Sequence, residues 1–428
     1  MWKSAVAPHR FRRAALVALC LAPPAARAQT QVTARDTAYL DSVLHAHSYP
    51  IALERGTLTG PGARYLDDAA RHAQFFVLAE SHYVAETPQF AAALFEVLHR
   101  TAGYDYCAVE FGPVIMHMLS ARGVRGDDER TFDLARRYPH AFQFWDDEEL
   151  DAFARIGGTS TARTDPLWGI DNEWGGVHVL DQLVAAAPDP AARAMAVRLA
   201  EQARPMEQTR PFALADDIGP RFIESPDTAM FDRLRSAYGS KPTKNVTWLI
   251  DALETSNRIY VNNIAGGKGA LTGYLSNSER EQLMKTQFID RYRRAQAAGD
   301  SLPRVLLKVG TVHGALGLTP SAFTSLGTFV HELATANGME SFHLAAWLVN
   351  KPGTYWSLSE SPGFELLAKQ GSTDRWTIVD LRALRPLLHA GRLAAISPQL
   401  RTTIASYDAV LLIGSGRRGS YERLRHGR

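Results

Sequence analysis

Read for the spacing of apolar and polar positions, the chain opens its ordered pattern with one decisive stretch. Phe75-Phe76-Val77-Leu78-Ala79 is too short for a typical helix and rich in strand formers, and it stops abruptly at Glu80-Ser81-His82. Such a run predicts a buried strand of a parallel sheet. Beyond Pro88, the apolar positions Phe90, Ala91, Leu94, Phe95, Val97 and Leu98 recur at helical spacing and predict a helix. Tyr106-Cys107-Ala108-Val109-Glu110 is a second strand that ends on an acid, and Leu167-Trp168-Gly169-Ile170-Asp171 is a third, with Asn172 and Glu173 beyond it. Val305-Leu306-Leu307-Lys308-Val309 is a fourth, followed by Gly310-Thr311-Val312-His313-Gly314, a tight glycine turn carrying an imidazole. Later strands are predicted at 341–348, 376–380 and 408–413.

Strands alternating with helices predict an α/β fold: a mainly parallel central sheet flanked by helices. Residues 29–73 read as helical lead-in, with Tyr39, Leu40, Val43 and Leu44 on one face and a second short helix from Tyr65 to Ala73. The charged and aromatic stretch 124–155 reads as two helices and a loop near the site. From 188 to 300 the strand signal disappears and segments 190–203, 227–238, 243–264 and 277–298 are helical in pattern. This predicts a helical insertion covering the C-terminal edge of the sheet, between a first core part at 29–187 and a second at 301–415. The basic segment 416–428 is expected to fray.

Composition changes this picture at the N-terminus. Lys3, Arg10, Arg12 and Arg13 precede a mostly apolar stretch from Ala14 to Ala25, and Ala26-Arg27-Ala28 fits a small-x-small cleavage site. Residues 1–28 therefore read as a signal peptide, and the mature chain as exported to the periplasm or secreted. Five basic residues and no acids leave with it, which takes the formal net charge from +2 to −3. A near-neutral chain offers no electrostatic case for nucleic acid or an anionic membrane. Nothing later in the sequence is apolar enough for stable membrane insertion. Of the two cysteines only Cys107 remains, inside a strand, where a buried and inert thiol is expected.

No G-x-S-x-G elbow, phosphate-binding loop with Gly-Lys-Ser/Thr, H-E-x-x-H or Cys/His zinc spacing occurs. What remains is Glu80, His82, Glu110, Asp171, Glu173 and His313, all expected at one sheet edge, where open α/β sheets bind ligands. A His flanked by carboxylates can activate water as a general base. The same set can equally hold a divalent metal such as Mn, Fe or Zn. Against these stands the plainer reading of each residue alone as an edge charge, a turn cap or an ion-pair partner. Lys308 can be such a partner for Glu110 or Asp171, and Arg280 an ordinary first-turn helix residue.

Leu78-Ala79-Glu80-Ser81-His82, Ala108-Val109-Glu110, Gly169-Ile170-Asp171 and Lys308-Val309-Gly310-Thr311-Val312-His313 together resemble the erythromycin esterase-like family. They also resemble its wider relatives, the ChaN-like haem-uptake proteins and the TIKI proteases. Arg280-Glu281 with Met284, Asp380-Leu381-Arg382 and Tyr407-Asp408-Ala409-Val410 are similar to further pieces of the esterases. The resemblance implies a hydrolase acting on an ester or lactone bond of a small-molecule substrate. His82 would be the base, Glu80 and Glu110 its partners, and His313 with Lys308 would stabilise the developing oxyanion. Asp171, Glu173 and Arg280 would support substrate or site. The sequence departs from the esterases in three places: Ala79 replaces a glycine, Glu80-x-His82 is one residue shorter, and Gly310 stands where the first of two histidines is found. The shorter spacing is closer to the ChaN-like pattern. No cofactor is expected from the esterase reading; a ChaN-like binder would take haem or a metal, and a TIKI-like peptidase a divalent metal.

Overall fold

The structure is a computed structural model that describes residues 34–144, 146–208, 221–266, 271–350, 357–393 and 396–426. The expected signal peptide lies outside the described residues. Nine strands form one sheet in the order β2-β1-β8-β9-β7-β3-β6-β4-β5. They are β1 (Ser48–Glu54), β2 (Thr57–Thr59), β3 (Ala73–Glu80), β4 (Tyr106–Val109), β5 (Leu167–Gly169), β6 (Val305–Gly310), β7 (Glu340–Asn350), β8 (Trp376–Asp380) and β9 (Ala409–Ser415). From β9 through β5 every neighbouring pair is parallel; β8 runs antiparallel to both β9 and β1, and β1 to β2. The fold is α/β with a mainly parallel sheet, as the alternation of elements predicts.

β3 lies at the centre and is buried along its whole length. Its period-two alternation serves two cores. Phe76 and Leu78 pack with Phe90, Leu94 and Phe95 of the Glu86–Ala102 helix, while Phe75 and Val77 pack on the opposite face with Met284, Phe288 and Tyr292 of the Leu271–Ala297 helix. Phe75 meets Phe288 edge to face, with ring centroids 5.4 Å apart. Burial on both faces is why the run carries no polar residue in its centre.

Between β5 and β6 the described residues contain no strand. The helices there are Val177–Ala185, Pro190–Gln208, Ala229–Ala237, Lys244–Gly266 and Leu271–Ala297. Two stretches differ from their reading. The lead-in is not wholly helical: between the Ala34–Ala46 and Pro61–His72 helices it forms the β1–β2 hairpin. Its turn is Arg55-Gly56, both with positive φ (50° and 80°), the backbone twist a two-residue hairpin loop requires. The described part of the C-terminal segment is docked rather than frayed. Leu424 is buried, and the Arg423 guanidinium lies 3.8 Å from the Phe132 ring centroid. Cys107 is buried, as its place in a strand predicts, and burial pushes its thiol far above the usual range.

Candidate active site

Four parallel strands, β3, β6, β4 and β5, lie side by side and end at one edge. Glu80 is the last residue of β3, Glu110 follows β4, Asp171 follows β5, and His313 sits in the four-residue helix Thr311–Gly314 directly after β6. The parallel register, Glu80 beside Gly310 and Val109 beside Lys308, is what gathers residues hundreds of positions apart.

His82 Nδ1 lies 3.1 Å from Glu80 Oε1. A carboxylate only accepts, so this contact fixes the proton on Nδ1 and leaves Nε2 as the open acceptor. Nε2 faces Glu110 Oε2 at 3.8 Å. The ring is held flat against Phe144, with centroids 3.8 Å apart and planes 12° apart. Glu110 stands between the two histidines. Its Oε2 accepts from the Gly310 N–H at 2.6 Å; its Oε1 accepts from Arg280 Nη2 at 2.5 Å and lies 3.7 Å from His313 Nε2. Burial opposes ionisation of Glu110, but His313, His82, Arg280 and the Gly310 N–H outweigh it and hold the carboxyl well below the usual range.

His313 Nδ1 donates to Glu281 Oε2 at 2.5 Å, and Glu281 Oε1 in turn accepts from the Leu326 N–H. Arg280 Nη1 sits 3.3 Å from His313 Nε2. Burial works against a charged ring, yet Glu110 and Glu281 raise the pKa of His313 above its ordinary value. Arg280 is clamped by Asp171, with Nε and Nη2 on its two carboxylate oxygens at 2.9 and 2.5 Å. Asp171 and Glu110 together push the guanidinium pKa further up against its burial. Gly314 lies so close to the sheet that a Cβ there would meet Ala79 Cβ at 2.7 Å, so only glycine lets the His313 turn seat itself on β3.

The structure therefore brings together Glu80, His82, Glu110, Asp171, Arg280 and His313. Two expected residues stand elsewhere. Lys308 does not face the opening: parallel register puts it on the same side of the sheet as Leu78, and its ammonium is spent on Glu80 and Glu149 at 2.8–2.9 Å. The expectation that it stabilises an oxyanion is corrected accordingly; the cation beside His313 is Arg280. Glu173 is fully buried behind the edge, accepting from the Val114 N–H at 2.7 Å and paired with His178 at 2.8 Å, where it holds the loops after β4 and β5 together. The Asp380 and Asp408 segments lie at the opposite edge, Asp380 because β8 runs antiparallel and Asp408 because it precedes the parallel β9, and there they bind Arg382 and Arg385. Sequence reasoning puts the stretch holding Phe144 near the site but gives Phe144 no role, and it misses Glu149 and the role of Glu281. A groove of 620 Å³ runs along the Leu271–Ala297 helix, lined by Leu275, Glu281, Lys285 and Phe323 among others, and reaches the site through Glu281.

The donor set does not suit a metal. The Glu110 and Glu80 oxygens are taken by Arg280, the Gly310 N–H, Lys308 and His82. No group of three or more His, Cys, Asp or Glu among the described residues is disposed to hold an ion. The divalent-metal expectation gains no ligand set among the described residues.

No family model matches the chain, and no curated relative does. Solved structures do. A histidine-to-asparagine variant of the erythromycin esterase EreC, in its open conformation, aligns with 87% of this chain and 98% of its own, at a TM-score of 0.54 and 14% identity. The chain shares its fold with an erythromycin esterase. A Bacillus cereus protein aligns over 90% of this chain and 98% of its own (TM-score 0.54, 14% identity). A succinoglycan biosynthesis protein aligns over 91% and 100% (TM-score 0.57, 12% identity). At these identities the likeness is one of fold, and it extends over nearly the whole of each chain.

Proposed function

We propose that this chain is an exported hydrolase of the erythromycin esterase type, cleaving an ester or lactone in a small molecule. The observation that carries the reading is the placement of Glu110 between His82 and His313, each ring already bearing a carboxylate on Nδ1. In the proposed reaction, His82 Nε2 takes a proton from water as it attacks the carbonyl carbon, and Glu80 stabilises the imidazolium that forms. Arg280 Nη1 and His313 Nε2, 3.3 Å apart, face the developing oxyanion together. His313, whose protonated form its neighbours favour, then delivers a proton to the leaving alkoxide. Arg280 itself stays charged throughout.

The test is hydrolysis by residues 29–428 on a panel of esters and lactones, a macrolide among them, against His82→Ala. Turnover by the parent that falls by about a hundredfold or more in the variant is expected for loss of a general base. Identical behaviour of the two proteins on every substrate ends the proposal. Added chelator is expected to leave the rate unchanged.

A further inference from the structure

We propose that Glu149 is a positioning residue for His82, acting through Lys308 and Glu80. The proposal rests on the reading of His82 as the base. Glu149 Oε1 and Oε2 accept from Lys308 Nζ at 2.9 and 2.8 Å. The same ammonium donates to Glu80 at 2.9 Å, and Glu80 Oε1 holds His82 Nδ1 at 3.1 Å. Glu149, Lys308 and Glu80 are each at most 5% exposed, so neither water nor salt loosens the chain.

A lysine in the interior of a strand cannot stay charged without buried counter-ions. Glu80 alone would leave one side of the ammonium open; Glu149, from the first turn of the Asp147–Thr159 helix, closes it and fixes where Nζ sits. Two carboxylates then share one cation, and their surroundings make them unequal. Burial opposes ionisation of Glu80, but Lys308 and His82 bring its pKa below the ordinary value. Burial, with the Glu80 and Asp146 charges added and Lys308 opposing, pushes the Glu149 carboxyl up to about 8. Asp146 itself is pushed up to about 7 by burial, against its bond from the Glu149 N–H, with Glu148 adding to the rise. The Cys107 thiol on β4 and the Tyr421 hydroxyl also face this set, and Glu148 is answered by Arg417 at 2.6 Å. Lys308 thus has a glutamate on either side, and Glu149, reaching Nζ with both oxygens, is the fixed end of a rod whose other end is the His82 imidazole.

This separates two substitutions. Glu149→Gln keeps the length and one of the two oxygens that Lys308 uses, so as the conservative variant it is expected to lose less kcat than Glu149→Asp. Glu149→Asp keeps the carboxyl but withdraws it by one methylene, dragging Lys308 off Glu80. A fall in kcat of about tenfold or more with KM unchanged is expected, the usual result of displacing a catalytic group. The second readout is the histidine Nδ1–H resonance by NMR. A downfield signal assigned to His82 is expected in the parent and in Glu149→Gln, and its shift or loss in Glu149→Asp. If Glu149→Asp matches the parent in both kcat and resonance, or if Glu149→Gln is damaged as badly as Glu149→Asp, the proposal is overturned. A parent without esterase turnover would sink the functional reading, while the resonance arm would still decide whether Glu149 holds His82.

Discussion

Gly310 offers the sharpest check on the site. Its φ of −58° and ψ of 151° are open to any residue, so the backbone does not require glycine there. The side chains around it do. A Cβ at this position would lie 2.9 Å from His82 Nε2, 3.1 Å from His82 Cε1 and 3.1 Å from Glu110 Oε2. Ordinary contact begins near 3.4 Å, so Gly310→Ala must push the imidazole back by roughly half an ångström. The ring has room, since its side chain is 27% exposed, but it yields only by opening its bond to Glu80 or sliding off Phe144. Overpacking of this kind costs about 1–3 kcal/mol, and the stiffer unfolded chain returns about 0.4–1 kcal/mol. The net loss is on the order of 1 kcal/mol, a fall in Tm of about 1–3 °C for a chain this long. The chemistry is far more sensitive: a base displaced by that much loses about 10–100-fold in rate. Calorimetry and kcat/KM on the best ester of the panel, measured on one preparation, check both numbers. Full activity in Gly310→Ala would refute the placement of His82 Nε2 at the reacting position, and so would a collapse in Tm large enough to account for the lost rate.

Arg280→Met leaves Asp171 and Glu110 buried without their cation, which is expected to cost about 3–5 kcal/mol in chemical denaturation; a loss below about 1 kcal/mol would show that the clamp is dispensable. Glu110 has a folded pKa below its ordinary 4.5, so the stability it contributes is present above that value and is lost as pH falls below it; Glu110→Gln should flatten the acid limb of a stability–pH curve. His313 runs the other way: its raised folded pKa gives stability that is complete below 6.5 and disappears as pH rises through the folded value, so His313→Gln should remove that alkaline decline. Deleting residues 416–428 takes from Glu148 and Asp147 the Ser420 N–H, Ser420 Oγ and Arg423 N–H and frees the loop after His82 from its bonds at Tyr83 and Ala85. A loss of about 2 kcal/mol or more is expected by urea denaturation, at about 1 kcal/mol for each hydrogen bond lost.

The parts legible in the sequence are those whose physics is local. A short apolar run ending on an acid carries its burial and its polarity switch within one window; three such runs put Glu80, Glu110 and Asp171 at a common edge, and a fourth strand with its glycine turn adds His313. The β1–β2 hairpin was missed because its turn is Arg-Gly rather than one of the asparagine- or aspartate-glycine pairs that announce a hairpin. Glu149 was missed for a different reason. Asp146-Asp147-Glu148-Glu149 reads as an acidic first turn of a solvated helix, and only tertiary packing buries all four. A signal was available in Lys308, a charge inside an otherwise apolar strand, which requires a buried anion somewhere; the sequence cannot say which. The docked C-terminus is the same case, since its partners in the acidic turn lie about 270 positions away.

The two imidazoles begin from the same arrangement and are made different by a third neighbour. Each donates Nδ1–H to a glutamate and turns Nε2 toward Glu110. Beside His82 the third neighbour is the face of Phe144, which adds no charge, blocks one side of the ring and leaves Nε2 at the opening. Beside His313 it is Arg280, itself committed to Asp171, within a setting that burial has closed and that Glu110 and Glu281 make favourable to an imidazolium. A neighbour that favours the charged form of one group is one way acid and base roles are divided in a single site. On that ground the proposed division, His82 taking the proton and His313 returning it, follows from neighbours rather than from the histidines themselves. Exchanging the neighbours should therefore exchange or abolish the roles. Phe144→Glu, which gives His82 a third carboxylate beside Glu80 and Glu110, is expected to slow the reaction at neutral pH by favouring the imidazolium, while an unchanged pH–rate profile in that variant would break the argument.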